Sequence, residues 1–433
     1  MTATDTHRAI EAVWRIEAPR LIASLARIVR DVGVAEDLAQ DALLAALQQW
    51  PAQGVPRNPG AWLMAAAKHR AIDYFRRNKR VERKHEEIGL ELEAEQAAVP
   101  DLAAALDDDV GDDLLRLVFT ACHPVLSTEA RAALTLRLLG GLATDEIARA
   151  FLVPEPTIAQ RIVRAKRTLA AKRVPFEVPR EAERAARLSS VLEVIYLIFN
   201  EGYSATAGDD WIRPALCEDA LRLGRILAEL TPREPEVHGL TALMEIQSSR
   251  LRARVGPSGE PILLLDQNRA LWDQLLIRRG LAALERAGRL PGPPGRYTLQ
   301  AAIAACHARA RTAEETDWGR IASLYAELVR LEPSPVIELN RAVAVGMAEG
   351  PQAGLALVDA LMREPALAGY HLLPSVRGDL LAKLGRVEEA RGEFERAASL
   401  TRNARERDLL LARALACAQS SSLSMRNLAT TGK

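Results

Sequence analysis

The sequence predicts an all-α protein: two small helical domains followed by a helical-repeat extension. Three observations carry this. Apolar residues recur at three- and four-residue spacing through most of the chain. Aromatics make up only 4% of the 433 residues and alanine is abundant, which favours closely packed helices over sheets. Late in the chain, Ala322, Ala356 and Ala390 stand 34 residues apart, the period of a two-helix repeat.

The first elements expected are helices over 7–30 and 34–50, with Gly33 marking the break. Prolines and glycines punctuate 51–60, and a third helix follows over about 61–83, so a first domain spans 1–85. Residues 86–111 are acidic and alanine-rich and read as a linker. A second helical domain covers 112–174. After Pro175 and Pro179 come long apolar helices over 184–290, ended by the breaker LPGPPG at 290–295. Repeats then occupy 296–420, where Gly378, Ala390, Phe394 and Ala397 fit the small/large pattern of a tetratricopeptide repeat. Ala326 and Ala360 stand where a large residue is expected, so the earlier copies are degenerate.

A hydrophobic content of 48% excludes wholesale disorder. Four cysteines without paired spacing make neither a disulfide framework nor a zinc site. No stretch approaches eighteen uninterrupted apolar residues, so the expectation is a soluble, cytoplasmic protein with no membrane partner. The net charge of zero conceals segregation. Residues 57–84 hold nine Lys/Arg against two acids, 86–113 hold eleven acids and no Lys or Arg, and 155–173 turn basic again, six to one. Two basic surfaces joined by an acidic connector suit a nucleic-acid partner.

The segment GLATDEIARAFLVPEPTIAQRIVRAKRTLAAKR, at 141–173, carries the most chemistry. Thr144 is expected to N-cap a short helix with Ile147, Ala148 and Phe151 inward; Val153-Pro154 turns the chain, and Pro156 falls in the first turn of the next helix. There Ile158, Ile162 and Leu169 face inward while Gln160, Arg161, Arg164 and Arg167 face out. This is a helix-turn-helix, whose second helix can enter a major groove. Upstream, Asp37, Gln40, Asp41 and Leu44 form a partly apolar acidic stripe at i, i+3, i+4 and i+7, suited to a basic partner helix. The following helix interleaves Trp62, Tyr74 and Phe75 with Lys68, Arg70, Arg76 and Arg77, which suits unpaired bases and their phosphates; core packing is the competing role for Trp62 and Phe75.

The ordered set AEDLAQDALLAAL, PGAWLMAAAKHRAIDYFRR and LSTEARAALTLRLLGGLATDEIARAFLVPEPTIAQRIVRAKRTL resembles regions 2 and 4 of the sigma-70 family, and more closely its extracytoplasmic-function group. Stretches such as YLIFNEGYSA and LLLDQNRALWDQLLI resemble the subgroup with a long tetratricopeptide-type C-terminal extension. The resemblance implies an alternative sigma factor that binds core RNA polymerase through the β′ clamp helices and β flap and directs initiation on promoter DNA. On it, Asp37, Leu38, Gln40, Asp41 and Leu44 match the clamp-docking segment. Trp62, Lys68, Arg70, Asp73, Tyr74, Arg76 and Arg77 match the helix that meets the −10 element, and Thr157, Gln160, Arg161, Arg164 and Lys166 the −35 recognition helix. Pro156 departs from the glycine or alanine common before the threonine, which puts the helix start and its base contacts in question.

No catalytic residue, cofactor or metal is expected. Cys122-His123 and Cys306-His307 lack further ligands at spacing and read as packing pairs. Glu201, Tyr203, Asp209, Asp210 and Trp211 form the densest polar-aromatic cluster of the extension, a place for a protein or ligand partner. Two rival functions remain: a helix-turn-helix regulator with a repeat-type sensor, and an enzyme using Glu201 and Asp209 as paired carboxylates. The extension is expected to regulate activity, with the acidic linker folding onto the basic surfaces.

Overall fold

The computed structural model describes residues 3–86 and 110–430. Among them lie eighteen α-helices, and the only β pairing is two isolated bridges, Gly208 with Asn403 and Val255 with Pro261. The chain divides into two compact units, Met1–Leu197 and Ile198–Lys433. No described helix is long and apolar enough to cross a membrane.

In the first unit α1 (Ala3–Val29), α2 (Val32–Gln53) and α3 (Pro59–Glu86) pack on one another. Leu21, Ile22 and Leu25 of α1, Trp50 of α2 and Leu63 of α3 are fully buried. The break between α1 and α2 falls earlier than Gly33: Arg30 adopts φ 54° and Asp31 caps α2, its carboxylate accepting from the Val34 N–H at 3.0 Å. A free N-terminal amide set off by an aspartate outweighs one glycine inside a helix. Asn58 likewise starts α3, accepting from the Ala61 N–H, so Pro59 sits where its missing N–H costs nothing.

The second half of this unit is α4 (Val110–Ala121), α5 (Thr128–Leu138), α6 (Thr144–Phe151) and α7 (Glu155–Ala171). The expected acidic linker, 86–111, lies outside the described residues apart from its ends. The next helix, α8 (Glu181–Tyr203), crosses the division between units. Its first turns belong to the first unit: Arg187 donates to the Phe119 carbonyl at 2.9 Å, and Ser190 Oγ to that of Cys122 at 2.8 Å. Arg131, 8% exposed, pairs with Glu193 at 3.3 Å and also bonds Ser190. The start of α8 thus packs with the first unit, because a buried arginine needs its partners.

In the second unit α9 (Pro214–Leu230), α11 (Gln274–Arg289) and α12 (Arg296–Arg309) surround α10 (Pro235–Ser248), eleven of whose fourteen residues are buried. Three helix pairs follow: α13 (Trp318–Leu331) with α14 (Pro335–Ala348), α15 (Pro351–Leu361) with α16 (Leu372–Lys383), and α17 (Val387–Leu400) with α18 (Ala404–Thr430). Ala322, Ala356 and Ala390 open successive pairs as the period requires, but only Ala390 is fully buried and Ala356 is exposed. Where the middle pair meets the first, Gly354 makes the close approach instead: a Cβ there would stand 2.8 Å from the Gly346 Cα of α14. Between the middle and last pairs Gly378 of α16 admits the Phe394 ring of α17, which is 1% exposed.

Candidate nucleic-acid interface

The helix-turn-helix is α6 and α7 with Leu152 between them in the left-handed region, φ 51°. Thr144 is the first helical residue and not the cap; the orphan N–H of Ala143 is satisfied by Glu146 at 2.8 Å. Pro156 falls within the first turn of α7, so it does not disturb the helix start. Ile147 and Ala148 are buried from one side, and Ile158, Ile162, Ala165 and Leu169 from the other. Opposite that stripe Thr157, Gln160, Arg164 and Arg167 are exposed, and Arg161 is half-buried. A row of hydroxyl, amide and guanidinium groups on one helix face has the reach and donor chemistry to read base edges and phosphates.

Lys166 departs from that row. It turns toward α2, with Nζ 2.5 Å from Glu36 and 3.9 Å from Asp37, and only 19% of its side chain is exposed. Glu36 is itself buried, at 2% exposure, and also accepts from Arg137 Nε at 2.6 Å and from Gln40 at 2.5 Å. Gly33 lies under the Lys166 stem, where a Cβ would make only ordinary contact with Cδ at 3.5 Å but would crowd the capping Asp31 Oδ1 at 3.0 Å. Two further ion pairs join the same halves of the unit, Arg15 with Glu146 and Arg27 with Asp113, both at 2.8 Å.

The acidic stripe on α2 is narrower than its spacing implies. Asp37 and Leu44 are exposed, Gln40 and Asp41 half-buried, and Leu38 is turned into the core at 7% exposure. Leu38 thus fixes the helix and is not itself presented. Partial burial raises the Asp37 carboxyl above its usual range, Lys166 opposing and the neighbouring Glu36, Asp31 and Asp41 assisting.

On α3, Leu63, Ala67 and Ala71 face the core, while Asp73, Arg76 and Arg77 are exposed and Trp62, Lys68, Arg70, Tyr74 and Phe75 half-buried. Trp62 meets buried Trp50 edge to face at 5.3 Å, and Tyr74 meets Phe75 likewise at 5.7 Å. The ring of Trp62 therefore has one edge in the core and one side on a cleft of about 490 Å³, lined also by Ala45, Gln49, His69, Arg70 and Asp73. Arg70 reaches Asp41 of α2 at 3.6 Å, so one residue from each of the two sequence-derived sets is joined. Arg76 and Asp73 lie 3.9 Å apart and are solvated.

Elsewhere, the Cys122 thiol is buried 3.3 Å from Thr135 Oγ1, and burial pushes it up to about 11; it is inert packing. His123 is half-buried, its Nδ1 accepting from the Val125 N–H. Glu201 is held by Arg213 and by Thr206 Oγ1 at 3.0 Å, whereas Asp209 and Asp210 are exposed, so no carboxylate dyad forms. The segment is closed from the far end of the chain: Asn403 Nδ2 donates to the carbonyls of Ala205 and Asp210. Glu36 and Arg137 had no signal in the sequence beyond their helical phase.

Residues 14–81 match the model of Sigma-70 region 2, and residues 116–169 that of Sigma-70, region 4. Residues 187–288 match a family of unknown function, DUF6596. An uncharacterised protein of Rhizobium meliloti (strain 1021) is 46% identical over 392 residues, covering 90% of this chain and 91% of its own.

Proposed function

This chain belongs to the sigma-70 family, in the region 2 and region 4 arrangement typical of its extracytoplasmic-function group, and from that premise we propose how its residues divide the work of initiation. As a sigma factor for promoter-specific transcription it has core RNA polymerase and promoter DNA as partners. Sigma factor families are not enzymes. The finer assignment is ours. The exposed acid Asp37 and half-buried Asp41, with Leu44 and Gln40, dock on the β′ clamp helices, and region 4 rests on the β flap. Trp62, Lys68, Arg70, Tyr74, Arg76 and Arg77 hold the opened −10 strand, by stacking and charge, with Asp73 orienting Arg76. Thr157, Gln160, Arg161 and Arg164 read the −35 element, joined by Lys166 once it leaves Glu36. The extension regulates this activity.

The observation that carries the reading is the exposed row on α7, set behind a helix that presents cations among aromatics. Run-off transcription with purified core enzyme tests it: transcripts starting at discrete promoters are expected. A footprint on DNA without polymerase, and no transcripts with it, would favour a plain helix-turn-helix regulator. The enzyme reading loses its residues, since Glu201 is neutralised by Arg213. For the extension, truncation after residue 197 keeps Arg131 with its partners and should change promoter activity strongly. Equal activity of the 1–197 fragment and the full chain would remove the regulatory role.

A further inference from the structure

The second unit contains an alternating ladder of aromatic rings and guanidinium groups. Its order is Trp211, Arg254, Tyr203, Arg250, Trp272, Arg269, each guanidinium carbon 3.8 to 5.8 Å from a neighbouring ring centroid. The rungs come from the end of α8, the 204–213 segment and the irregular stretch 249–273 that follows α10. Three positive charges are thus gathered, yet none of the three arginines forms an ion pair with a described carboxylate. Arg254 donates to the Tyr203 carbonyl at 2.9 Å, and Arg250 to the Tyr203 hydroxyl at 2.7 Å and to Gln247. Arg269 donates to the carbonyls of His307 and Ala310 and to Thr316. Arg269 also feels the exposed Glu314 and Glu315, without an ion pair to either.

Ring quadrupoles attract a cation but do not cancel its charge, and burying unbalanced charge is costly. The strain registers on the groups themselves. Desolvation lowers Arg254 and Arg269, with the like charge of Arg250 adding to both, and His307 beside them is pushed down to about 4 by burial and by Arg250 and Arg269. Buried polar atoms without a partner gather in the same stretch; Gln267 Oε1 and His307 Nδ1 are among them, but donors outnumber them. Arg250 Nε, Arg254 Nε, Trp211 Nε1 and Trp272 Nε1 are buried donors without an acceptor. Four orphan donors among three uncompensated cations call for an acceptor carrying negative charge. Arg254, Arg269 and Trp211 each keep partial exposure, which gives a small ligand an approach.

We propose that this ladder is a binding site for a small oxyanion, a phosphate or a carboxylate group, held by the free Nε–H of Arg250 and Arg254 with indole N–H support. The site lies within the DUF6596 match and needs neither polymerase nor DNA, so its test is independent of the assignments above. The full chain is titrated with inorganic phosphate and, separately, with succinate, the ionic strength held constant with sodium chloride. Calorimetry and tryptophan emission report binding, and thermal unfolding reports linkage, the midpoint rising with the logarithm of anion concentration once binding saturates. Arg254→Lys keeps the charge but loses the Nε donor and should weaken binding by about tenfold. Arg250→Gln and Arg254→Gln should abolish it, and the exposed Arg278→Gln should change nothing. A response to one anion and not the other supports the site and assigns its chemistry. No saturable response to either anion in the wild-type chain, or undiminished binding by Arg254→Lys, overturns the proposal and leaves the ladder a packing device.

Discussion

Buried charge is handled in opposite ways at two places, one in each unit. At the first, acids are over-supplied with cations: Glu36 holds Arg137 and Lys166, and Asp113 holds Arg27 and Arg116. At the second, Arg250, Arg254 and Arg269 share aromatic faces and form no ion pair, although the same unit closes other charges, Glu245 with Arg225 and Glu201 with Arg213. A buried carboxylate gripped from two helices is closed electrostatically and sets which surfaces meet. A buried group of cations without an acid is open, and its remaining stabilisation must come from outside the fold. The first pattern therefore marks an internal joint and the second a receptor for something absent from the chain.

The largest expected effect tests the closed side. Glu36→Ala strands Arg137 and Lys166 and should cost roughly 3–5 kcal/mol in urea unfolding. Asp145→Ala, which removes an exposed i, i+4 pair with Arg149, should leave the urea midpoint in place. If both variants unfold alike, the joint is not electrostatic. Phe394→Ala, in the Gly378 notch, provides a charge-free reference in the second unit and should cost about 3–5 kcal/mol.

Acid should sharpen the open side. His307 has a folded-state value near 4, below the ordinary value of 6.5, so the unfolded chain takes up its proton first. The contribution is complete above pH 6.5, declines as pH falls, and is exhausted near pH 4; at pH 5 the loss is about 2 kcal/mol. The difference in urea stability between the wild-type chain and His307→Asn, followed from pH 7 to pH 5, isolates this from carboxylate titration. A difference independent of pH would mean the imidazole does not feel the arginines. The smallest effect concerns DNA: Arg164→Ala should reduce the slope of log K against log[salt] by about 1. Glu36→Gln, by freeing Lys166, should raise that slope by a comparable amount; an unchanged slope in Glu36→Gln would show that the pairing does not withhold Lys166 from phosphate.

Much of the recognition surface is legible from spacing alone. Ile158, Ile162 and Leu169 fall inward and Thr157, Gln160 and Arg164 outward because 3.6-residue periodicity separates them whatever the partner. Leu38 and Lys166 break the reading for one reason. Each sits near the border of its helix face, where a neighbouring helix decides between solvent and contact. In the extension Tyr203 and Trp211 stand out in sequence beside Glu201 and Asp209, yet the structure couples Tyr203 to Arg250 and Arg254 and Trp211 to Arg254, far downstream, and leaves Asp209 to water. The repeat period locates three helix pairs, but Gly354 and not Ala356 makes the middle close approach.

Helical class, the order of the two sigma regions, the basic recognition face and the repeat period are local properties, written by propensity, capping and periodicity within a few turns of chain. Which charges cancel is not local. Glu36 meets a lysine 130 residues away, and Arg254 meets Tyr203 with no acid beside it, because burial and pairing depend on which helices pack and at what offset. Tertiary structure alone thus separates a basic residue that reads DNA from one that locks a helix, and both from one that waits for an anion.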